Sequence, residues 1–129
     1  MDRILRKVFV ALFVFATGAY ASASNRVANS SKFNWNPVMD AIIEVESEGN
    51  PKAVSGNSCG AMQITPILVK ECNDILKKQK SKKRFKLSDR FNVKKSKEMF
   101  LLIQAHHNPE NNVEKAIRSW NGGPRYSVR

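Results

Sequence analysis

From Asn36 onward, apolar residues recur at three- and four-residue intervals in four stretches separated by Asn, Gly and Pro. Asn36-Pro37 opens the first, with Asn as N-cap and Pro at the first helical position. Val38, Ala41, Ile42 and Val45 then lay one apolar stripe along a helix over residues 37–48, which Gly49-Asn50-Pro51 ends. A loop of small and turn-forming residues, Lys52 to Gly60, leads into Ala61-Met62-Gln63-Ile64. Thr65-Pro66 opens a second helix by the same logic, with Ile67, Leu68, Cys72, Ile75 and Leu76 on one side. A third runs from about Asn92 to Ala105, with Val93, Met99, Phe100, Leu102 and Ile103 as its apolar positions, and Asn108-Pro109 breaks it. A fourth starts near Asn111 and Asn112, carries Val113, Ala116, Ile117 and Trp120, and stops at Asn121-Gly122-Gly123-Pro124. No repeat and no convincing strand pair interrupts the series; short extended pieces fit only around residues 53–64. The pattern predicts an all-α domain with little or no β.

The first residues follow a different pattern. A basic stretch, Arg3 to Lys7, precedes the apolar run Val8 to Phe15, and Ala19-Tyr20-Ala21-Ser22-Ala23 offers cleavage after Ala21 or Ala23. The run is about half of the ~20 residues that span a bilayer, so it reads as a secretory signal over 1–21. No Cys stands at a lipoprotein-like position, and no stable membrane span is expected after cleavage. Residues 22–35 read as a Ser- and Asn-rich polar leader, leaving 36–129 as one small domain. An exported location, periplasmic or extracellular, follows.

Charge narrows the partners. Cleavage would remove three cations and one anion, lowering the net charge from +11 to +9. In an exported chain that balance suits anionic envelope polymers or membrane surfaces better than nucleic acid. Seven Lys/Arg lie between Lys77 and Lys86, a solvated helix end and loop, or a device for retention on anionic wall polymers. Two cysteines, Cys59 and Cys72, allow a disulfide contributing about 3 kcal/mol, or two separate thiols with one buried. Neither has a placed His partner, which argues against a thiol nucleophile. The adjacent His106 and His107 face different ways on a helix and lack further ligands at useful spacing, so no metal or cofactor is expected.

Candidate chemistry gathers where the first helix ends. At about 100° per residue, Glu46 lies beside the apolar stripe, four residues after Ile42. Glu44 points away from the stripe, and Glu48 sits at the fraying end. Glu46 alone should be partly desolvated, which favours a protonated carboxyl able to act as a general acid.

Three motifs then carry a resemblance. Glu46-Ser47-Glu48-Gly49-Asn50-Pro51-Lys52-Ala53-Val54-Ser55 resembles the E-S-x-x-N-P-x-A-x-S motif of the soluble-lytic-transglycosylase, goose-lysozyme-like family. Gly60-Ala61-Met62-Gln63-Ile64-Thr65-Pro66 is similar to its G-L-M-Q-I-x-P, with Ala61 for Leu. Ala116 to Pro124 resembles its A-x-x-x-Y-N-x-G-P, with Trp120 for Tyr. They occur in order across roughly residues 36–124.

The resemblance implies a lysozyme-like helical fold with a glycan-binding groove, and a peptidoglycan lytic transglycosylase. Glu46 would be the catalytic acid/base cutting between N-acetylmuramic acid and N-acetylglucosamine and leaving a 1,6-anhydro product, with a single carboxylate in place of the usual pair. Ser47 would hydrogen-bond near the acid or cap the helix. Ser55, Met62, Gln63 and Ile64 would bind substrate, Trp120 would stack on a sugar and Asn121 would supply an amide. The Met62–Ile64 stretch and Trp120 have plain core readings as well. Related proteins usually continue past the third motif into a further helix, whereas this sequence ends at Arg129, so a short form or a truncated product is expected. A hydrolytic lysozyme, a catalytically impaired peptidoglycan-binding module and a part of a conjugation or secretion apparatus are the neighbouring readings. A nucleic-acid-binding protein accounts for the charge alone.

Overall fold

The structure, a computed structural model, describes residues 32–122. Four α-helices, one 3-10 helix and one small hairpin make up this part: α1 (Asn36–Ser47), β1 (Val54–Ser55), β2 (Ser58–Cys59), α2 (Pro66–Lys78), the 3-10 helix (Leu87–Phe91), α3 (Val93–His107) and α4 (Val113–Gly122). The all-α expectation holds, with the hairpin inside the 53–64 interval. The signal sequence and most of the leader lie outside the described residues. Among the described residues no helix is long and apolar enough to cross a membrane.

Helix starts follow the polar punctuation, with one correction. Thr65 Oγ1 accepts the Leu68 N–H at 3.3 Å and Asn92 Oδ1 accepts that of Lys95 at 2.9 Å. Asn112 Oδ1 does the same for Lys115 at 2.9 Å, ahead of α4. For α1 the expected cap, Asn36, is itself helical; its N–H donates to Asn34 Oδ1 at 3.1 Å. The leader boundary also moves. Trp35 is buried, and its ring meets Phe33 at 4.7 Å and Phe100 at 5.5 Å, so residues 33–35 pack with the domain.

The core gathers Met39 and Ile42 of α1, Val69, Cys72 and Ile75 of α2, Met99, Phe100 and Ile103 of α3, and Ala116 and Ile117 of α4. Phe100 is fully buried between the edges of Trp35 and Trp120, and replacing such a side chain with Ala costs about 3–5 kcal/mol. Two predicted apolar positions face outward. Ile67 is 65% exposed because α2 buries Leu68, Val69, Cys72, Ile75 and Leu76, a stripe whose centre lies well round the helix from Ile67. Val93, in the first turn of α3, is also exposed.

Between α3 and α4 the turn is held by a buried amide. Asn108 Nδ2 donates to Gln104 Oε1 (3.0 Å) and Asn112 O (2.8 Å), while its Oδ1 accepts the Asn112 N–H at 3.0 Å. The Asn-Pro break thus has a specific partner set as well as a proline.

Candidate functional site

Helix α1 delivers its three glutamates into different surroundings. Glu44 and Glu48 are exposed, whereas Glu46 is half-buried. Glu48 ends the helix in the left-handed region, φ 54°, and donates its N–H to Glu44 O at 3.0 Å. Glycine follows at φ 83°, so the chain turns sharply away directly after the Glu46-Ser47 pair.

Ser47 couples this helix end to the segment after the hairpin. Its hydroxyl lies 3.0 Å from Ile43 O within the helix and 2.7 Å from Ala61 O across the fold. Of the two roles expected for Ser47, these bonds fit the helix-end one, and they add a tie across the fold.

The hairpin pairs Val54 with Cys59 and Ser55 with Ser58 around Gly56, whose φ of 59° suits the tight turn. Ser55 is exposed on this hairpin. Cys59 and Ile64 then exchange backbone hydrogen bonds at 3.0 and 2.9 Å, folding residues 60–63 into a small loop. Inside it Gln63 takes a left-handed φ of 55°, and its amide Nε2 donates to Gly60 O (2.9 Å) and Ala53 O (3.2 Å). The Gln63 Oε1 atom is buried and accepts no hydrogen bond among the described residues. A non-glycine residue in this region costs free energy and persists where surrounding bonds over-determine it.

For Met62 and Ile64, burial matches the core alternative given in the sequence reading. Met62 and Ile64 are 0% and 1% exposed, with their side chains in the core. Trp120 is half-buried, packs edge-to-face on Phe100 at 5.2 Å, and donates its ring N–H to Met62 O at 2.9 Å. Its ring thus contacts the core and the 60–64 loop while staying half-exposed. The side chain of Asn121 lies outside the described residues.

Arg90, on the 3-10 helix, went unmarked in the sequence because it follows a run of solvated lysines. Its Nη1 donates to Asn57 O (3.1 Å) in the hairpin turn and to Ile64 O (3.3 Å) at the end of the motif loop. Its own carbonyl accepts the Ser96 hydroxyl at 3.0 Å and sits where a Cβ on Gly60 would be, 1.7 Å away. Gly60 was the local signal: an α-carbon this close to another backbone admits no side chain.

The cysteines are free and buried, so the bridge reading gives way to separate thiols. Cys72 sits in the core with Sγ 3.8 Å from Met99 O, and burial, followed by the Glu71 charge, pushes its pKa up to about 12. His107 pairs through Nε2 with Glu71 Oε1 at 2.5 Å, joining α3 to α2. A separate cavity of about 750 Å³, lined by Phe33, Trp35, Met39, Leu76, Phe85 and Leu102, opens at the N-terminal end of α1. Ten residues of helix put that end ~15 Å from Glu46, so the chemistry argued from the glutamates does not use it.

Residues 23–128 match the sequence model of the transglycosylase SLT domain. Neither the curated proteins nor the solved structures contain a match to the chain.

Proposed function

The chain belongs to the transglycosylase SLT domain family, whose members are lytic transglycosylases acting on peptidoglycan outside the cytoplasm, and we propose that it is itself a working enzyme of that kind with Glu46 as its acid/base. The observation that carries the reading is the placement of Glu46. It is the one half-buried carboxylate of the three at the end of α1, and it directly precedes the Ser47 hydroxyl that ties this helix to the Gly60–Ile64 loop.

In the proposed reaction Glu46 gives its proton to the glycosidic oxygen as the bond from muramic acid C1 breaks. The resulting carboxylate then takes the proton of the muramic acid 6-hydroxyl, whose oxygen bonds to C1. Proton and bond counts close without water, leaving a 1,6-anhydro end and a free N-acetylglucosamine 4-hydroxyl. The substrate's N-acetyl group stabilises the developing positive charge, the task a second carboxylate performs in most glycosidases. Gln63 and Ser47 position the loop and the acid. Export and small size suit local opening of the wall for an envelope-spanning conjugation or secretion apparatus; unimpaired transfer or secretion in a deletion strain would remove that role.

Mass spectrometry of products from purified peptidoglycan tests the chemistry. Anhydro-muropeptides that disappear with Glu46→Gln support it. Reducing-end products would make the protein a hydrolase, and no products from a folded chain that still sediments with peptidoglycan would make it a binding module.

A further inference from the structure

The positive charge of this protein is concentrated in one place. Residues 77–98 contain eleven Lys/Arg against Asp89 and Glu98, a net +9 within a chain of +11. They cover the end of α2, the following loop, the 3-10 helix and the first turns of α3.

The loop is held in position. Asn73 of α2 grips the Phe85 main chain from both sides, Oδ1 accepting its N–H at 2.7 Å and Nδ2 donating to its carbonyl at 2.9 Å. The Phe85 ring is buried, Ser81 N–H donates to Leu76 O at 3.0 Å, and Lys83 pairs with Glu98 of α3 at 3.0 Å. Several cations serve the fold in this way: Lys95 also approaches Glu98 at 3.8 Å, Lys97 pairs with Asp40 at 3.1 Å, and Arg84 donates to two backbone carbonyls. Lys77, Lys78, Lys80, Lys82, Lys86 and Lys94 remain exposed with no ion pair among the described residues.

Fixing so many like charges side by side opposes folding through self-repulsion. Solubility is served equally well by dispersed charge, so a strapped cationic face calls for an anionic partner. Phe85 of the loop is buried, while Leu87, Phe91 and Val93 stand exposed on the same stretch; the occupant is taken as the peptidoglycan on which the family acts, and the vesicle experiment below tests a bilayer in its place. The face also leads directly to the motif loop: the 3-10 helix continues from it, and Arg90 binds Asn57 O and Ile64 O.

We infer that the lysine face between Lys77 and Lys94 is a docking surface for the carboxylate-bearing peptide stems of peptidoglycan, holding the strand while the glycan is presented at Glu46. The inference rests on the proposed substrate but not on cleavage.

The test uses the full chain carrying Glu46→Gln, so that binding is read without turnover, on sacculi chemically stripped of phosphate polymers. Binding should weaken about tenfold from ~0.05 M to ~0.5 M salt as screening shortens the reach of each charge. A second protein with Lys80, Lys82, Lys86 and Lys94 each changed to Ser should bind about tenfold more weakly at low salt, with little salt dependence left and a Tm equal to or above the parent's. Sacculi whose stems have been removed by an amidase should bind both proteins alike and weakly. Equal binding by the two proteins on intact sacculi, or undiminished binding to stem-free glycan, overturns the inference. So does preferential capture of the Glu46→Gln chain by vesicles of anionic phospholipid, which would assign the face to a membrane. Failure of the parent chain to release muropeptides, with this binding pattern intact, would sink the enzymatic reading and leave the docking face standing.

Discussion

The Ser47 hydroxyl donates to the carbonyl of Ala61 at 2.7 Å, joining the helix that carries Glu46 to the loop that carries Gln63. One side-chain bond thus links the first two sequence motifs, which are fourteen residues apart at this contact.

Ser47→Ala leaves the Ala61 carbonyl without that donor. Ala61 is 1% exposed, so water cannot easily replace it, and the loss should be about 1–3 kcal/mol in denaturant unfolding. If the bond also sets the acid against the loop, turnover should fall about tenfold or more, as small displacements of positioned groups do. Ser47→Thr should recover part of both. Unchanged turnover in a destabilised Ser47→Ala protein would confine Ser47 to folding.

Trp120→Phe separates two uses of an aromatic ring. Phe keeps an edge against Phe100 but cannot donate to Met62 O, so a stability loss of about 1–2 kcal/mol is expected. Because the indole is tied to the loop, KM for peptidoglycan fragments should change little once stability is restored by lowering the temperature. A KM several-fold higher with normal stability would instead favour the sugar-stacking role.

Much of this could be read in the sequence because it depends on local chemistry. Thr65, Asn92 and Asn112 cap helices through their own side chains, and the different exposures of Glu44, Glu46 and Glu48 follow from helical rotation. The errors involve distant partners. The burial of Met62 and Ile64 matches the core reading that the sequence already offered, whereas nothing near Arg90 distinguishes it from neighbouring surface cations. Trp35 resembled leader because its partners, Phe100 above all, lie on another helix far along the chain. The cysteines posed the same problem: an even count cannot report whether two side chains meet.

Gly60→Ala examines the junction between the motif loop and the 3-10 helix. The new Cβ would lie 1.7 Å from Arg90 O, and φ is already +84°, so backbone must move. A loss above about 4 kcal/mol, or failure to accumulate folded protein, is expected. Arg90→Lys is the gentler probe; one ammonium cannot reproduce the guanidinium's contacts with Leu87 O, Asn57 O and Ile64 O. Hydrogen exchange should rise across residues 57–64 while α2 and α3 stay protected.

The Cys72 thiol should be silent in the native state. Cys72 is held protonated by burial, with its pKa at about 12, and alkylating reagents need thiolate. Native protein at pH 8 should therefore show no Cys72 adduct over a time that fully labels the unfolded chain. Denatured without reductant, the protein should take up two adducts by mass. Uptake of none would establish a Cys59–Cys72 bridge.

Acid should loosen the cationic loop first. Glu98 is held below its ordinary value of 4.5 chiefly by its hydrogen bond from Lys83, with Lys83 and Lys95 adding charge attraction. A carboxylate whose folded pKa is depressed contributes stability that is fully present above its unfolded pKa and lost as pH falls through the folded value. The tie should thus hold near neutrality and weaken below about pH 4.5, where the unfolded state binds the proton first. Because the pair is largely solvated, its share should be under about 1 kcal/mol. Glu98→Gln should lower Tm slightly at pH 7 and flatten the remaining decline between pH 5 and about pH 3 relative to the parent. An identical pH dependence in both proteins would mean that the loop is held by Asn73 and Phe85 alone, with the Lys83–Glu98 pair contributing nothing measurable.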